Sequence, residues 1–325
     1  MSQVETILRE QLVGRREKLV TSFRPYSDTT QLYQLLREVD AALLRLENGS
    51  YGLCQTCHDP IEPERLLADP LACFCLDHLT PRERQTLERD LATAAQVQSE
   101  LLPKPTAAYG AWQVARHYEA AGPVSGDYCD LISLADGSLF FTFGDVSGKG
   151  VTAALLMTQL HAMFRALISL RLPLAQLMER ASSLFCESTL PMHYATLVCG
   201  QAHPTGALEL CNAGHLPPLW LHSGAVRSLG ATGLPLGIFG QQEYSAETRQ
   251  LSPGDALLLY TDGISEALND VGDEYGSIRL AEVLSDCDTL PPQAIIANCL
   301  TDLRAFQSGA PKTDDLTLMA LRWTG

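Results

Sequence analysis

Residues 139–150 read Leu139-Phe140-Phe141-Thr142-Phe143-Gly144-Asp145-Val146-Ser147-Gly148-Lys149-Gly150. An apolar run that ends in a carboxylate and then glycines predicts a strand over 139–144, a sharp turn, and a helix over 151–169. Working outward, three more acidic motifs sit beside predicted strands. Ser125-Gly126-Asp127-Tyr128-Cys129-Asp130 follows a strand over 113–120. Tyr260-Thr261-Asp262-Gly263 closes a strand over 257–260, and Thr313-Asp314-Asp315-Leu316-Thr317 opens one over 316–321. A further strand over 195–201 and helices over 174–185 and 292–306 complete a mixed α+β pattern.

Carboxylates at the ends of several strands can converge on one rim of a sheet. Oxygen-only ligand sets select hard ions, Mg²⁺ or Mn²⁺. Two such ions can share a water, lower its pKa and clamp a phosphoryl group for direct in-line hydrolysis. Taken singly, an Asp-Gly at a strand end is a plain turn; the order and spacing of all four motifs carry the reading. The glycine-rich 144–150 segment lacks the Walker spacing and its Ser/Thr, so a nucleotide-cradling loop is not expected.

The 325 residues have room for one large domain and a small one. The net charge is -15, yet residues 1–50 balance seven Lys/Arg against seven Asp/Glu, so the acidic excess lies beyond them. An acidic surface repels nucleic acid and membrane surfaces, and neither is an expected partner. The segment MSQVETILRE has charges and no apolar core, so it does not read as a signal peptide, and a cytoplasmic location is expected. The apolar stretch 151–175 contains Gln159, His161, Arg165 and Arg171, which makes it an amphipathic helix, not a membrane span.

Upstream, Leu32, Leu36, Val39, Leu43 and Leu46 recur at helical spacing, with a looser stripe of Val4, Leu8, Leu12, Leu19 and Phe23 before a polar turn, RPYSDTT. Residues 1–50 are read as an antiparallel helical hairpin, or else as two helices packed on the larger domain. Four of the ten cysteines crowd into residues 54–75. Cys54-x2-Cys57, then seventeen residues, then Cys75-x2-His78 pairs four donors for one structural Zn²⁺ within residues 51–79. Cys73 is an inert neighbour or a redox-active one. Residues 80–106 read as a linker helix capped by Thr80, Pro81 and Glu83. Leu87, Leu91, Ala94, Gln98 and Leu101 lie near a coiled-coil seam, which makes the helix a candidate for homodimerisation.

Residues 46–70 resemble the DksA/TraR zinc fingers through Leu46-Glu47-Asn48-Gly49-Ser50-Tyr51-Gly52-Leu53-Cys54, Cys57, Ile61, Arg65-Leu66, Ala68 and Pro70. That family usually has a fourth cysteine where His78 stands and lacks Cys73. Its members insert a helical hairpin with an acidic tip into RNA polymerase; the tip here offers Asp28 alone.

The order of the acidic motifs, with Gln98 through Leu101-Leu102-Pro103, Asn212-Ala213-Gly214-His215-Leu216-Pro217-Pro218 and Gly233-Leu234-Pro235-Leu236-Gly237, resembles the SpoIIE/RsbU branch of the metal-dependent protein phosphatases over roughly 95–323. The resemblance implies a four-layer α/β/β/α sandwich over 107–325 with two Mn²⁺ or Mg²⁺ between its sheets. It implies that Asp145 bridges both ions and the Val146 carbonyl binds one. Asp127 would act through water, and Asp262 and Asp314 would hold the second ion; Asp130 and Asp315 rank lower. It implies a phosphorylated protein as substrate, typically an anti-sigma-factor antagonist, with the linker relaying a signal from the N-terminal module. Where the family has Gly-Gly-Asp this chain has Ser125-Gly126-Asp127, and Cys129 stands where an aromatic is common. Arg116 and Lys149 are candidates for orienting phosphate. His215 is read as structural, with a general-acid role as the alternative; His117, His161 and His193 are read as structural. The rival reading is a polymerase- or partner-binding regulator whose phosphatase fold is an inactive scaffold.

Overall fold

The computed structural model describes residues 30–62, 65–66, 70–79, 81–189, 193–240, 242–310, 312 and 314–325, with 9, 12–14, 16 and 20 upstream. The chain divides into two compact units, Met1–Asp90 and Leu91–Gly325.

In the first unit, α1 (Thr30–Glu47) buries Val39 and Ala42 against Leu12, with Leu36, Leu43 and Leu46 alongside. Leu36, Val39, Leu43 and Leu46 of the predicted stripe are therefore on the packed face of this helix, and the Leu32 side chain lies outside the described residues. Val4, Leu8, Leu19, Phe23, Asp28 and the helix cap Thr80 lie outside the described residues. After α1 the chain makes tight turns. Cys54 N–H donates to Asp59 O, His58 N–H to Cys54 O, and Gln55 N–H to Cys73 O. The small core here is Cys54, Ile61, Leu66, Ala72 and Cys75. Helix α2 (Pro81–Leu101) begins in the first unit and ends in the second.

The second unit holds eleven strands among its described residues. They are β1 (Thr106–Tyr109), β2 (Trp112–Glu119), β3 (Asp127–Ser133), β4 (Leu139–Val146), β5 (Ala195–Ala202), β6 (Ala207–Ala213), β7 (Leu219–His222), β8 (Ala225–Ser228), β9 (Glu247–Gln250), β10 (Ala256–Tyr260) and β11 (Leu316–Trp323). They form two sheets, ordered β1-β2-β11-β10-β7-β8 and β3-β4-β5-β6-β9, with antiparallel pairing throughout. Helices α3 (Gly150–Leu167) and α4 (Leu174–Ser188) cover the second sheet. A four-residue turn of helix, α5 (Asp262–Ser265), follows β10. Helices α6 (Ser277–Ser285) and α7 (Pro292–Gln307) cover the first sheet. The result is a four-layer α/β/β/α sandwich.

Strand β4 shows why the layers close. Phe140 and Val146 pack toward the helices, whereas Leu139, Phe141 and Phe143 pack between the sheets. Both faces are covered, so the strand reads as a continuous apolar run without polar alternation. Each buried Phe contributes about 1.5–3 kcal/mol. Helix α3 docks through Ala153, Met157, Leu160, Phe164 and Leu167. The stretch Gly150–Leu170 is long and apolar enough to cross a membrane by composition, and here one face of it packs on the second sheet.

The strands and helices predicted over 113–321 occur, with ends shifted by up to three residues, while the linker helix read over 80–106 stops at Leu101. The end of the 151–169 helix is a separate 3-10 turn, Ile168–Leu170. The sequence reading did not pick out β1, β3, β6–β9 or α6. Most are short, and β3 opens on Asp127 itself, so its start lies inside the acidic motif.

Candidate active site and zinc-binding cluster

The four acidic motifs meet at one end of the sandwich. Asp127 begins β3, and Asp145 stands opposite it near the end of β4. Asp262 follows β10, and Asp314 and Asp315 precede β11. One Asp127 carboxylate oxygen, Oδ2, accepts from Thr261 Oγ1 at 3.1 Å and from Thr317 Oγ1. Thr261 also receives the Thr317 N–H on Oγ1 at 3.0 Å. These two threonines, which the sequence reading passed over, tie β3 of one sheet to the ends of β10 and β11 of the other. The signal for them was their place in the motifs, one residue before Asp262 and two after Asp315.

Backbone approach is close here. A Cβ on Gly126 would stand 3.0 Å from Val146 O and 3.1 Å from Asp145 Oδ1. Gly126 O accepts the Val146 N–H at 3.3 Å. Asp315 braces the same loop: its Oδ1 accepts from Ala121 N at 2.6 Å and its Oδ2 from Gly126 N at 3.1 Å. Asp315 is thus a loop brace beside the acidic cluster.

The electrostatics are those of crowded anions. Burial, then the charges of Asp262, Asp314 and Asp315, push the Asp145 carboxyl up to about 7. Burial and the Asp145 charge raise Asp127 well above the carboxylate range. Burial and then Asp314 raise Asp262. Lys149 Nζ lies 2.7 Å from Asp314 Oδ2, but it is largely exposed. Such a set of oxygen donors, converging from four segments, fits hard divalent cations, whose charge offsets the repulsion. Asp145 and Asp262 line an open cleft of about 290 Å³ with Ser147, Tyr194, Thr196 and Glu266.

Neighbouring groups have other duties. Asp130 is buried and receives both Arg165 Nε and a terminal nitrogen at 2.8 Å, away from the acidic cluster. Arg116 Nε donates to Pro103 O at 2.5 Å. His161 Nε2 is 3.5 Å from Asp130 Oδ2, and His117 pairs with Glu119 at 3.2 Å. His215 is buried, with Nδ1 at 2.9 Å from Thr196 Oγ1 and Nε2 at 3.2 Å from Tyr260 O.

In the first unit the donor atoms of Cys54, Cys57, Cys75 and His78 all lie within 4.8 Å of one another. Cys57 Sγ and Cys75 Sγ are 3.8 Å apart, and Cys75 Sγ is 3.2 Å from His78 Nδ1. Zn–S bonds of about 2.3 Å in a tetrahedron set sulfurs about 3.8 Å apart, so the cluster fits zinc.

The chain is similar to known proteins over both regions. The model of the prokaryotic dksA/traR C4-type zinc finger matches residues 49–77. Phosphoserine phosphatase RsbP of Bacillus subtilis is 28% identical over 234 residues, 70% of this chain, and the chain spans 56% of that protein. Phosphoserine phosphatase RsbU of the same organism is 25% identical over 257 residues, 76% of this chain and 74% of RsbU. Among solved structures, the SiaA-PP2C domain of Pseudomonas aeruginosa superimposes with a TM-score of 0.66 at 20% identity, over 75% of this chain and 99% of that one, and shares the fold. The model of stage II sporulation protein E matches residues 135–324, more than half of the sequence, and the chain belongs to this SpoIIE family.

Proposed function

We propose that this protein is a divalent-metal-dependent phosphatase that removes phosphate from serine or threonine of a partner protein. The observation that carries the proposal is the convergence of Asp127, Asp145, Asp262 and Asp314 from four segments onto one rim of the sandwich. The relatives RsbP and RsbU are named phosphoserine phosphatases, which supports the same reading.

Two Mn²⁺ or Mg²⁺ ions, held by Asp145, the Val146 carbonyl, Asp262 and Asp314, would supply the electrostatic activation of water and of the phosphoryl group. Asp127, tied to Thr261 and Thr317, keeps its carboxylate fixed beside Asp145. Asp314 holds Lys149 at the mouth of the site, where its ammonium faces an incoming phosphoryl oxygen. The open cleft along Tyr194 and Glu266 admits a side chain projecting from a folded partner. In this reading one Zn²⁺ held by Cys54, Cys57, Cys75 and His78 is structural, and the module regulates the phosphatase. The substrate is of the anti-sigma-factor-antagonist type. The exposed Leu87 and Val97 of α2 suit a homodimer contact.

The test is hydrolysis of a phosphoserine protein with and without Mn²⁺, on wild type and Asp262→Asn side by side. Manganese-dependent turnover that the variant loses supports the proposal. Equal turnover by a folded Asp262→Asn overturns it.

A further inference from the structure

The loop over 121–126 has no regular secondary structure, yet it presents Asp127 to the acidic cluster. Its backbone is gripped from outside. Asp315 takes the Ala121 and Gly126 N–H groups, as described. From the other direction comes Gln98, in the last turn of α2. Gln98 Nε2 donates to Ser125 O at 2.7 Å, and Gln98 Oε1 accepts from Ser125 N at 3.0 Å. Ser125 Oγ in turn accepts the Asp127 N–H at 3.1 Å.

Three features make this contact more than helix packing. Gln98 is 5% exposed, and it is the one buried side chain among the described side chains of α2. Of the other residues on the expected coiled-coil seam, Leu87 and Ala94 are exposed and Leu91 and Leu101 are only half-buried. The amide satisfies both backbone groups of a single residue, as a β-bridge partner would. A buried amide with both ends paired is costly to disrupt, because each freed group is left without water. Sequence spacing had placed Gln98 on the seam; the structure turns it to Ser125.

We propose that Gln98 is a positioning residue for the metal site. It fixes the Ser125 peptide, and through it the Gly126 turn and Asp127, so that the last turn of α2 sets how tightly the acidic cluster holds its divalent ions. The inference rests on the phosphatase reading above. It predicts that metal affinity, not the chemistry at saturating metal, changes when the amide is removed. Groups that orient ligands without touching the ion typically change affinity by about 10–100-fold.

The test uses the full chain and Gln98→Met, which keeps the length and loses both hydrogen bonds. Mn²⁺ binding is followed by electron paramagnetic resonance, independently of turnover. Phosphoserine hydrolysis is then titrated with Mn²⁺, and amide exchange of residues 121–127 is measured in chelator. The expected result is a rise of about 10-fold or more in half-saturating Mn²⁺ by both readouts. Turnover at saturating Mn²⁺ should stay within about 2-fold, and the 121–127 amides should exchange faster. If Gln98→Met does not fold, Gln98→Asn, too short to reach both groups, is read by the same criteria. Unchanged Mn²⁺ affinity in a folded variant overturns the inference, even if turnover drops. Wild type that binds Mn²⁺ but hydrolyses no phosphoserine overturns the phosphatase reading while the affinity comparison still decides the role of Gln98. Wild type that binds no Mn²⁺ overturns both.

Discussion

Asp127 and Asp145 are direct partners across the β3–β4 ladder. Like charges opposite each other on one face of an antiparallel pair are destabilising, and both groups are raised by burial, with Asp145 reaching about 7. A carboxyl whose folded pKa lies above its unfolded value holds more protons in the folded state. Stability is therefore lost as pH rises toward the folded pKa. In chelator, the contribution of these carboxyls to the melting temperature of the second unit should fall as pH rises from about 4 to about 7. Asp145→Asn should flatten that slope, and Mn²⁺ should raise the wild-type melting temperature most at the alkaline end. Scanning fluorimetry across pH, with and without Mn²⁺, checks this. A wild-type slope of the opposite sign would count against the crowded-anion account.

Gly263 gives a sharper steric prediction. A Cβ there would lie 1.8 Å from Asp315 O, deep inside contact distance, and the atom in the way is backbone. Gly263→Ala must push the Asp315–Leu316 peptide away from the turn after β10. The expected cost is about 1–3 kcal/mol in stability, with a large loss of metal-dependent turnover. Chemical denaturation and Mn²⁺ titration measure the two effects. Wild-type stability in the variant would mean the turn does not pack against Asp315 as described.

Much of this arrangement was legible in the chain. Strand β4 and its glycine-rich exit announced themselves because both sheet faces are buried, leaving an apolar run that ends abruptly in Asp145. The paired spacing of Cys54, Cys57, Cys75 and His78 was equally direct, since knuckle geometry is local. What the sequence hid were contacts between distant segments. The link of Asp127 to Thr261 spans 134 residues and that to Thr317 spans 190. Such pairs have no periodicity to find. The Gln98–Ser125 contact is hidden for the related reason that helical spacing shows which residues share a face but not what that face meets.

The zinc cluster yields a prediction confined to the first unit. Its core is five residues, two of them the proposed ligands Cys54 and Cys75, too little apolar area to hold a fold without metal. Cys75→Ser should lower bound zinc from about one per chain toward zero and open residues 51–79 to protease. Native mass spectrometry and limited proteolysis read the two outcomes. Full protease resistance in a zinc-free Cys75→Ser protein would remove the structural role.

His215 separates a structural role from a general acid most cleanly. Asn212 holds its backbone at both ends: Oδ1 accepts the His215 N–H at 2.8 Å, and Nδ2 donates to His215 O at 3.1 Å. A carbonyl can only accept, so Nε2 carries the proton toward Tyr260 O and Nδ1 accepts from the Thr196 hydroxyl. The ring therefore bridges β5 of one sheet and β10 of the other, one residue before Thr261. Burial pushes its pKa down to about 4. With an unfolded value near 6.5, the stability it confers is present above about pH 6.5 and is lost as pH falls toward 4. His215→Ala should leave the buried Tyr260 carbonyl without its imidazole donor, at about 1–3 kcal/mol, while the half-buried Thr196 hydroxyl keeps Asp145 O as a partner. It should lower the melting temperature at neutral pH and weaken the acid sensitivity below about pH 6.5. The pH profile of turnover at saturating Mn²⁺ should keep its shape. A general acid predicts the reverse pattern, in which one limb of that profile is lost while the melting temperature stays in place.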